Sequence, residues 1–205
     1  IYLDYAASTP VRKEVRKVVA EVGRYFANPN SRHNAGNKAK DLLEYSRTKI
    51  KNILNEKETD KIIFTSSGTE SINLALKGIA HAYKKKGNHI ITCTVEHKAV
   101  LETCKYLEHE GLSVTYMDVD KYGRVNPKDV EKAITKKTIL ISIMYANNEV
   151  GTIQLIKEIA SIAKKKKVLF HADACQAGYL DLDVQRLGVD LLTLNSNKVY
   201  GPKGA

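Results

Sequence analysis

The sequence predicts an α/β fold in which helices cover both faces of a mostly parallel sheet. Short apolar runs rich in β-branched residues recur along the chain, and amphipathic stretches of helical period separate them. Strands that are apolar along their whole length are buried on both faces, which is typical of parallel sheets. A chain of 205 residues is long enough to enclose one sizeable core.

The individual elements follow from the position of each run. Strands are predicted at residues 61–65, 89–93, 113–117, 138–144, 168–172 and 190–194. The amphipathic stretches between them predict helices at residues 70–84, 99–110, 127–134 and 156–165. The part before the first strand predicts two more helices, at residues 11–26 and 37–54, with a polar loop between them.

The net charge of +10 raises the question of nucleic-acid binding. The lysines occur in short runs, such as 84–86 and 164–167, near the ends of predicted helices, where they favour the negative end of the helix dipole. No aromatic residues interleave with these runs, as a base-stacking surface would require. We therefore predict no nucleic-acid partner, while a weak attraction to acidic partners stays open.

Cysteine usage and the N-terminus predict the compartment. Cys93, Cys104 and Cys175 have no metal-ligand spacing and form no disulfide framework, so we expect no metal and a reducing environment. The chain has no basic leader before its strand-like start and no long uncharged apolar run, which predicts a cytoplasmic protein without a membrane span. Cys93 and Cys104 are expected to be buried, whereas Cys175 either packs at a strand end or approaches a ligand.

Lys198 follows the last apolar strand, where the strand ends. Partial desolvation there favours the neutral amine, which is a nucleophile toward aldehydes, although a surface position is the alternative in a lysine-rich chain. Asp173 comes at the end of the preceding strand, with Gln176 close behind it. A carboxylate in that place can pair with a pyridinium nitrogen. The aspartate and the lysine together predict pyridoxal 5'-phosphate as the cofactor.

Gly68 and Thr69 follow a predicted strand and open a helix. Exposed amides at a helix N-terminus, the positive end of the dipole and a threonine hydroxyl suit a phosphate group. An ordinary capped helix is the alternative, because Ser or Thr before Glu is a common start signal.

Several motifs, in the same order along the chain, resemble cysteine desulfurases of the NifS/IscS type, which are class V aminotransferase-family enzymes of fold-type I. The resemblance runs along all 205 residues. It is carried by residues 4–10 (DYAASTP), 28–33 (NPNSRH), 64–73 (FTSSGTESIN), 94–100 (TVEHKAV), 147–152 (NNEVGT) and the loop around Lys198 (NSNKVYGPKG).

The resemblance implies the large domain of a fold-type I pyridoxal-phosphate enzyme. Residues 15–205 would form this domain, incomplete at its C-terminal end, and residues 1–14 would belong to a small domain that is otherwise missing. The implied enzyme is a homodimer that converts L-cysteine to L-alanine and passes the sulfur, through an enzyme persulfide, to an acceptor such as an iron–sulfur scaffold protein.

The resemblance also implies roles around the cofactor ring. Lys198 forms the Schiff base, Asp173 pairs with the pyridinium nitrogen, and His97 stacks on the ring and relays protons. Gln176 donates a hydrogen bond to the phenolic oxygen, and Asn148, or the asparagine before it, lies near the same atom.

The resemblance assigns Gly68 and Thr69 to the binding of the cofactor phosphate. Two further positions at the phosphate differ from the family pattern. The family has serine and histidine at the positions of Asn195 and Asn197, and both reach the phosphate. Asparagine donates hydrogen bonds but carries no charge. We therefore expect Asn195 and Asn197 to contact the phosphate and to hold it more weakly, with partial compensation from Ser196.

Two alternatives remain open. One is another class V pyridoxal-phosphate enzyme, such as a selenocysteine lyase. The other is a truncated or non-catalytic desulfurase-like subunit, because the family's nucleophilic cysteine and its substrate-carboxylate arginine lie beyond residue 205. None of the three cysteines falls in a matching motif, so no persulfide cysteine is assigned.

Overall fold

The computed structural model describes residues 1–57 and 61–204. In this part of the chain five strands form one sheet in the order β2-β1-β3-β4-β5, and every neighbouring pair is parallel. The strands are β1 His89–Cys93, β2 Ser113–Met117, β3 Thr138–Met144, β4 Leu169–Asp173 and β5 Leu191–Thr193.

Helices cover both faces of this sheet, as the alternating sequence pattern predicts. Their bounds are α1 Lys13–Val22, α2 Asn34–Leu54, α3 Gly68–Ala82, α4 Lys98–His109, α5 Pro127–Ala133, α6 Ile156–Lys166 and α7 Val184–Leu187. Helices α3 and α4 enclose one apolar core with one face of the sheet, and α5, α6 and α7 enclose a second core on the other. The predicted α/β architecture is confirmed.

The two cores are separated by the alternation of side chains along the strands. Ile90 pairs with Leu140 and both face the core beneath α3 and α4, whereas the next pair, Ile91 with Ile141, faces the opposite core. All four side chains are completely buried. Their burial removes apolar surface from water on both sides of the sheet, which is the main stabilising contribution to such a layer.

The predicted strand at residues 61–65 is wrong. These residues pair with no strand in the described ranges, and the side chains of Ile63 and Phe64 are 65% and 43% exposed. The Arg47 guanidinium donates to the Ile62 carbonyl and lies 4.9 Å from the Phe64 ring centre. An apolar, β-branched run becomes a strand only when a neighbouring strand supplies its hydrogen bonds.

Smaller differences concern element ends. The helix predicted at residues 11–26 is shorter and covers Lys13–Val22. Strand β4 begins one residue later than the predicted strand at 168–172, and β5 has three residues where 190–194 was predicted. Helix α7, a single turn, was not predicted from its sequence.

The N-terminal segment lies against the loop that carries Lys198. Thr9 N–H donates to the Asn197 carbonyl at 2.9 Å, and Arg12 N–H donates to the Tyr200 carbonyl at 3.1 Å. Helix α1, which follows, has no buried residue, and Phe26 beyond it is 91% exposed.

The carboxyl ends of the parallel strands all meet at one edge of the sheet. The ends of β1, β3, β4 and β5 and the loops that follow them carry the sequence-predicted site residues other than Gly68 and Thr69, which lie at the start of α3. Ligands of open α/β sheets bind outside this edge. In the described ranges no helix is long and apolar enough to cross a membrane.

Candidate cofactor site

A pocket opens at the carboxyl edge of the sheet, beside the N-terminus of α3. It encloses roughly 430 Å³, and this volume includes space that is open to solvent. Its lining consists of Gly68, Thr69, Ile72, His97, Met144, Ala146, Asn148, Asp173, Cys175, Gln176, Asn195 and Lys198. The structure therefore brings together every predicted site residue except Asn197.

Asp173 ends β4 and forms the buried, acidic part of the pocket. Its side chain is 4% exposed, and Oδ1 accepts a hydrogen bond from Cys175 N–H at 3.0 Å. A carboxylate this deeply buried is unfavourable unless a cation or further donors approach it. A protonated ring nitrogen is such a cation.

His171 fixes the strand that carries Asp173. The imidazole is fully buried, with Nδ1 at 2.9 Å from Ser142 Oγ on β3 and Nε2 at 2.9 Å from Thr193 Oγ1 on β5. Burial lowers the pKa of His171 to about 4, so the ring is neutral at physiological pH.

His97 begins helix α4 and faces the pocket. Its Nδ1 accepts a hydrogen bond from Ala99 N–H at 3.1 Å, so a neutral His97 carries its proton on Nε2. The cap fixes the ring plane, and the side chain otherwise stays exposed. A ring in this place can cover one face of a flat ligand.

Lys198 and Gln176 meet at one carbonyl of the N-terminal segment. Lys198 Nζ donates to the Ala6 carbonyl oxygen, and Gln176 Nε2 donates to the same oxygen at 2.7 Å. Lys198 ends a 3₁₀ turn, Ser196–Lys198, directly after β5. The amine therefore lies at the pocket lining and is already oriented by a neutral acceptor.

The N-terminus of α3 forms the opposite wall. A capping box shapes it: Ser67 Oγ accepts from Glu70 N–H at 3.2 Å, and Glu70 Oε2 accepts from Ser66 N–H and Ser66 Oγ at 2.6 Å. These bonds also lower the pKa of Glu70. Helix α3 is fifteen residues long, so its positive dipole end is fully developed at Gly68.

Gly68 is required by a close approach. A Cβ atom at this position would lie 2.8 Å from Cys175 Sγ and 3.2 Å from Asn195 Nδ2. Asn195 Oδ1 accepts from Asn197 N–H at 3.2 Å, so its amide nitrogen is left on the side of α3. The space at the N-terminus of α3 is thus narrow, and the uncharged amide group of Asn195 lines it.

Asn197 does not reach the pocket lining. Its backbone carbonyl accepts hydrogen bonds from Thr9 N–H and Thr9 Oγ1, both at 2.9 Å. Its side-chain Oδ1 is buried and has no hydrogen-bond partner in the described residues. The contact between Asn197 and a phosphate stays a prediction.

The structure also separates the two adjacent asparagines. Asn147 is structural: its Oδ1 accepts from Glu149 N–H and Val150 N–H, and its Nδ2 donates to the Val95 carbonyl at 3.0 Å. Asn148 lines the pocket, and its Nδ2 donates to Glu149 Oε1.

Sequence reasoning missed the apolar lining of the pocket, which Ile72, Met144 and Ala146 supply. Met144 ends β3 at the same edge as Asp173, and that position is the one sequence signal that could have identified it. Cys175 was left open and does line the pocket.

All three cysteines are held as thiols. Burial raises the pKa of Cys104 to about 12, and burial is also the main cause that raises the pKa of Cys93 and of Cys175. The thiolate is the nucleophilic form of cysteine. These three groups are therefore poor nucleophiles in this conformation.

Comparison with known proteins agrees with this geometry. The pattern of the family "Aminotransferase class-V" matches residues 1–205. A cysteine desulfurase IscS from Dictyoglomus turgidum is 51% identical over 206 residues, covering 100% of this chain and 52% of the relative. One from Methanosarcina thermophila is 50% identical, covering 100% of this chain and 51% of the relative.

Among solved structures, SspA in complex with cysteine superposes with a TM-score of 0.94 at 41% identity, covering 99% of this chain and 59% of that protein. The chain thus spans about half the length of the curated relatives that it matches.

Proposed function

This chain belongs to the class V aminotransferase family, and on that basis we propose that it is part of a pyridoxal 5'-phosphate-dependent cysteine desulfurase. The observation that carries the proposal is the convergence of an aspartate, a lysine and a helix N-terminus on one pocket. Its substrate is L-cysteine, its product is L-alanine, and the sulfur leaves through an enzyme persulfide.

The residues present fit this cofactor. Gly68, whose missing Cβ leaves room between α3 and Cys175, and Thr69 hold the phosphate together with the amide of Asn195. We include Asn197 in the phosphate site on the family resemblance alone, because it does not line the pocket. When bound, the cofactor supplies an aldehyde that condenses with amines and a ring that withdraws electrons.

The remaining side chains bind and move protons. Asp173 offers a buried negative charge to the ring nitrogen, and Gln176 and Asn148 offer amide donors to the phenolic oxygen. His97, which lines the pocket, would cover one face of the ring and would exchange protons through its imidazole. Lys198 Nζ, which here donates to the Ala6 carbonyl, would hold the cofactor through its aldehyde with loss of water, and would also serve as the acceptor for the substrate Cα proton.

We assign no persulfide cysteine in this chain, because none of its three cysteines falls in a matching motif, and burial raises the pKa of all three thiols. We propose a homodimer in the cytoplasm that hands its sulfur to an iron–sulfur scaffold protein. Residues 1–14 are assigned to a small domain, and residues 15–205 to the large cofactor-binding domain.

Trapping with borohydride tests the cofactor assignment. The protein is mixed with pyridoxal 5'-phosphate, reduced, digested and mapped by mass, with circular dichroism as the check on folding. We expect the label on Lys198, its loss in Lys198→Ala and its retention in the control Lys203→Ala, an exposed lysine of the same loop. A folded protein labelled evenly over its many lysines would contradict the assignment.

A second candidate function is a desulfurase-like subunit without turnover. The uncharged pair Asn195 and Asn197 and the protonated thiols favour it. Release of alanine from L-cysteine distinguishes the two, because a non-catalytic subunit retains the label on Lys198 but releases no alanine. Comparison of L-cysteine with L-selenocysteine separates a desulfurase from a selenocysteine lyase.

A further inference from the structure

A buried carboxyl group, Glu96, lies directly behind the pocket without lining it. Glu96 stands between β1 and helix α4, immediately before His97, and is 6% exposed. Its Oε1 accepts two hydrogen bonds, from Met144 N–H at 2.7 Å and from Cys93 Sγ at 3.1 Å. One oxygen atom therefore joins the ends of two strands.

The hydrogen bonds of Glu96 lie beyond the point at which β1 and β3 stop pairing. The β1–β3 ladder runs to Ile91 and Ile141, and Met144 lies three residues farther on. Beyond the ladder, the Met144 N–H donates to Glu96 Oε1 and not to the backbone of β1. Asn147 Nδ2, which donates to the Val95 carbonyl at 3.0 Å, adds a second tie between the same segments.

Both tied segments supply pocket residues. On the β1 side the residue after Glu96 is His97, and on the β3 side Met144 leads to Ala146 and Asn148. The hydrogen bonds of Glu96, together with that of Asn147, thus join the segment that carries His97 to the segment that carries Asn148. A buried acceptor in this place is costly to remove, because it leaves a buried N–H without a partner.

The surroundings of Glu96 favour its neutral form. Oε2 is buried and has no hydrogen-bond partner among residues 1–57 and 61–204. The titratable groups that face the carboxyl are Cys93 on β1, Cys104 on α4 and Asp173 on β4, and none is a cation. Burial, with Asp173 as a smaller contribution, raises the pKa of Glu96 to about 8.

We propose that Glu96 is a positioning residue which, as a neutral carboxylic acid, fixes the loop of His97 against the end of β3. In this state Glu96 places no second negative charge beside Asp173, which lines the pocket. The consequence for the cofactor rests on the proposed function. The clamp, by which we mean the hydrogen bonds of Glu96 Oε1 with Met144 N–H and Cys93 Sγ, does not depend on that function, because it joins protein atoms only.

Three variants separate these roles. Glu96→Gln keeps an uncharged side chain with the acceptor oxygen, Glu96→Ala is uncharged and removes that oxygen, and Glu102→Gln is the control on exposed α4 surface. In cofactor-free protein we expect amide exchange at Met144 to rise about tenfold or more in Glu96→Ala and to stay within about threefold of the wild type in Glu96→Gln.

The proton is tested by infrared spectroscopy of the cofactor-free wild type. We expect a carboxylic acid band that persists at pH 7, loses about half of its intensity near pH 8 and is absent from Glu96→Gln. This measurement remains decisive if Glu96→Ala does not fold. A band that titrates near the ordinary pKa of a glutamate would overturn the neutral clamp.

Cofactor affinity completes the test. We expect Glu96→Ala to weaken pyridoxal 5'-phosphate binding about tenfold and Glu96→Gln to restore it. Equal loss in both variants, or none in either, would overturn the positioning role. If the wild type binds no cofactor, the proposed function fails, and the exchange and infrared results still decide the clamp.

Discussion

Replacing Glu96 with glutamine should make the protein more stable at neutral and alkaline pH, with little change in mild acid. Glutamine has the shape of the protonated acid, keeps the oxygen that accepts from Met144 N–H, and cannot ionise. In the wild type, burial raises the pKa of Glu96 from 4.5 in an exposed chain to about 8 in the fold.

The size of the effect follows from this difference. Between pH 4.5 and 8 the folded wild type holds a proton at Glu96 that the unfolded chain has released, so stability falls as the pH rises through this window. Each pH unit is worth about 1.4 kcal/mol, which gives Glu96→Gln an advantage of about 3 kcal/mol at pH 7 and about 5 kcal/mol above pH 8. Below pH 4.5 both states hold the proton and the advantage disappears.

Urea unfolding of the wild type and Glu96→Gln at a series of pH values measures this difference directly. Other groups that titrate in the window, such as His171, are common to both proteins and largely cancel in the comparison. Glu102→Gln, which removes an exposed carboxylate, should give a nearly flat difference over the same range. A flat difference for Glu96→Gln as well would refute the reasoning, because it would mean that Glu96 ionises in the fold as readily as in the unfolded chain.

Three further substitutions test the site. Gly68→Ala places a Cβ 2.8 Å from Cys175 Sγ and should weaken cofactor binding about tenfold in a fluorescence titration, and adding Cys175→Ala should recover most of that loss. Asn197→His should tighten cofactor binding about tenfold at pH 6 through a charge-assisted bond, and an unchanged affinity would place residue 197 away from the phosphate. Thr9→Val removes the hydroxyl that bonds the Asn197 carbonyl and Tyr200 N–H, and should cost about 1–3 kcal/mol in urea unfolding; a smaller loss would mean that the N-terminal segment contributes little.

Much of the site could be predicted from local sequence. Asp173 and Lys198 each follow an apolar strand, and the carboxyl ends of parallel strands meet at one edge, so their convergence was expected. The assignment of Gly68 to a helix N-terminus was likewise local, since the capping box of Ser67 and Glu70 is written in adjacent residues. The comparison with relatives then placed the whole chain in one family.

Other features could not be predicted because they depend on distant neighbours. The run at residues 61–65 has the composition of a strand but no strand beside it in the described structure. Asn195 and Asn197 are equivalent in the sequence, yet only Asn195 lines the pocket, because the 3₁₀ turn directs the two side chains differently.

Taken alone, the sequence determined the alternation of strands and helices, the two-sided burial of the sheet and the chemical identity of the pocket residues. These properties depend on side-chain periodicity and on residue type, which are local. Only the tertiary structure decided that Glu96 is buried at the joint between β1 and β3 and that Asp173 lies near it. Desolvation and hydrogen bonding depend on the atoms that surround a group in space, and one donor to Glu96, Met144 N–H, comes from 48 residues farther along the chain.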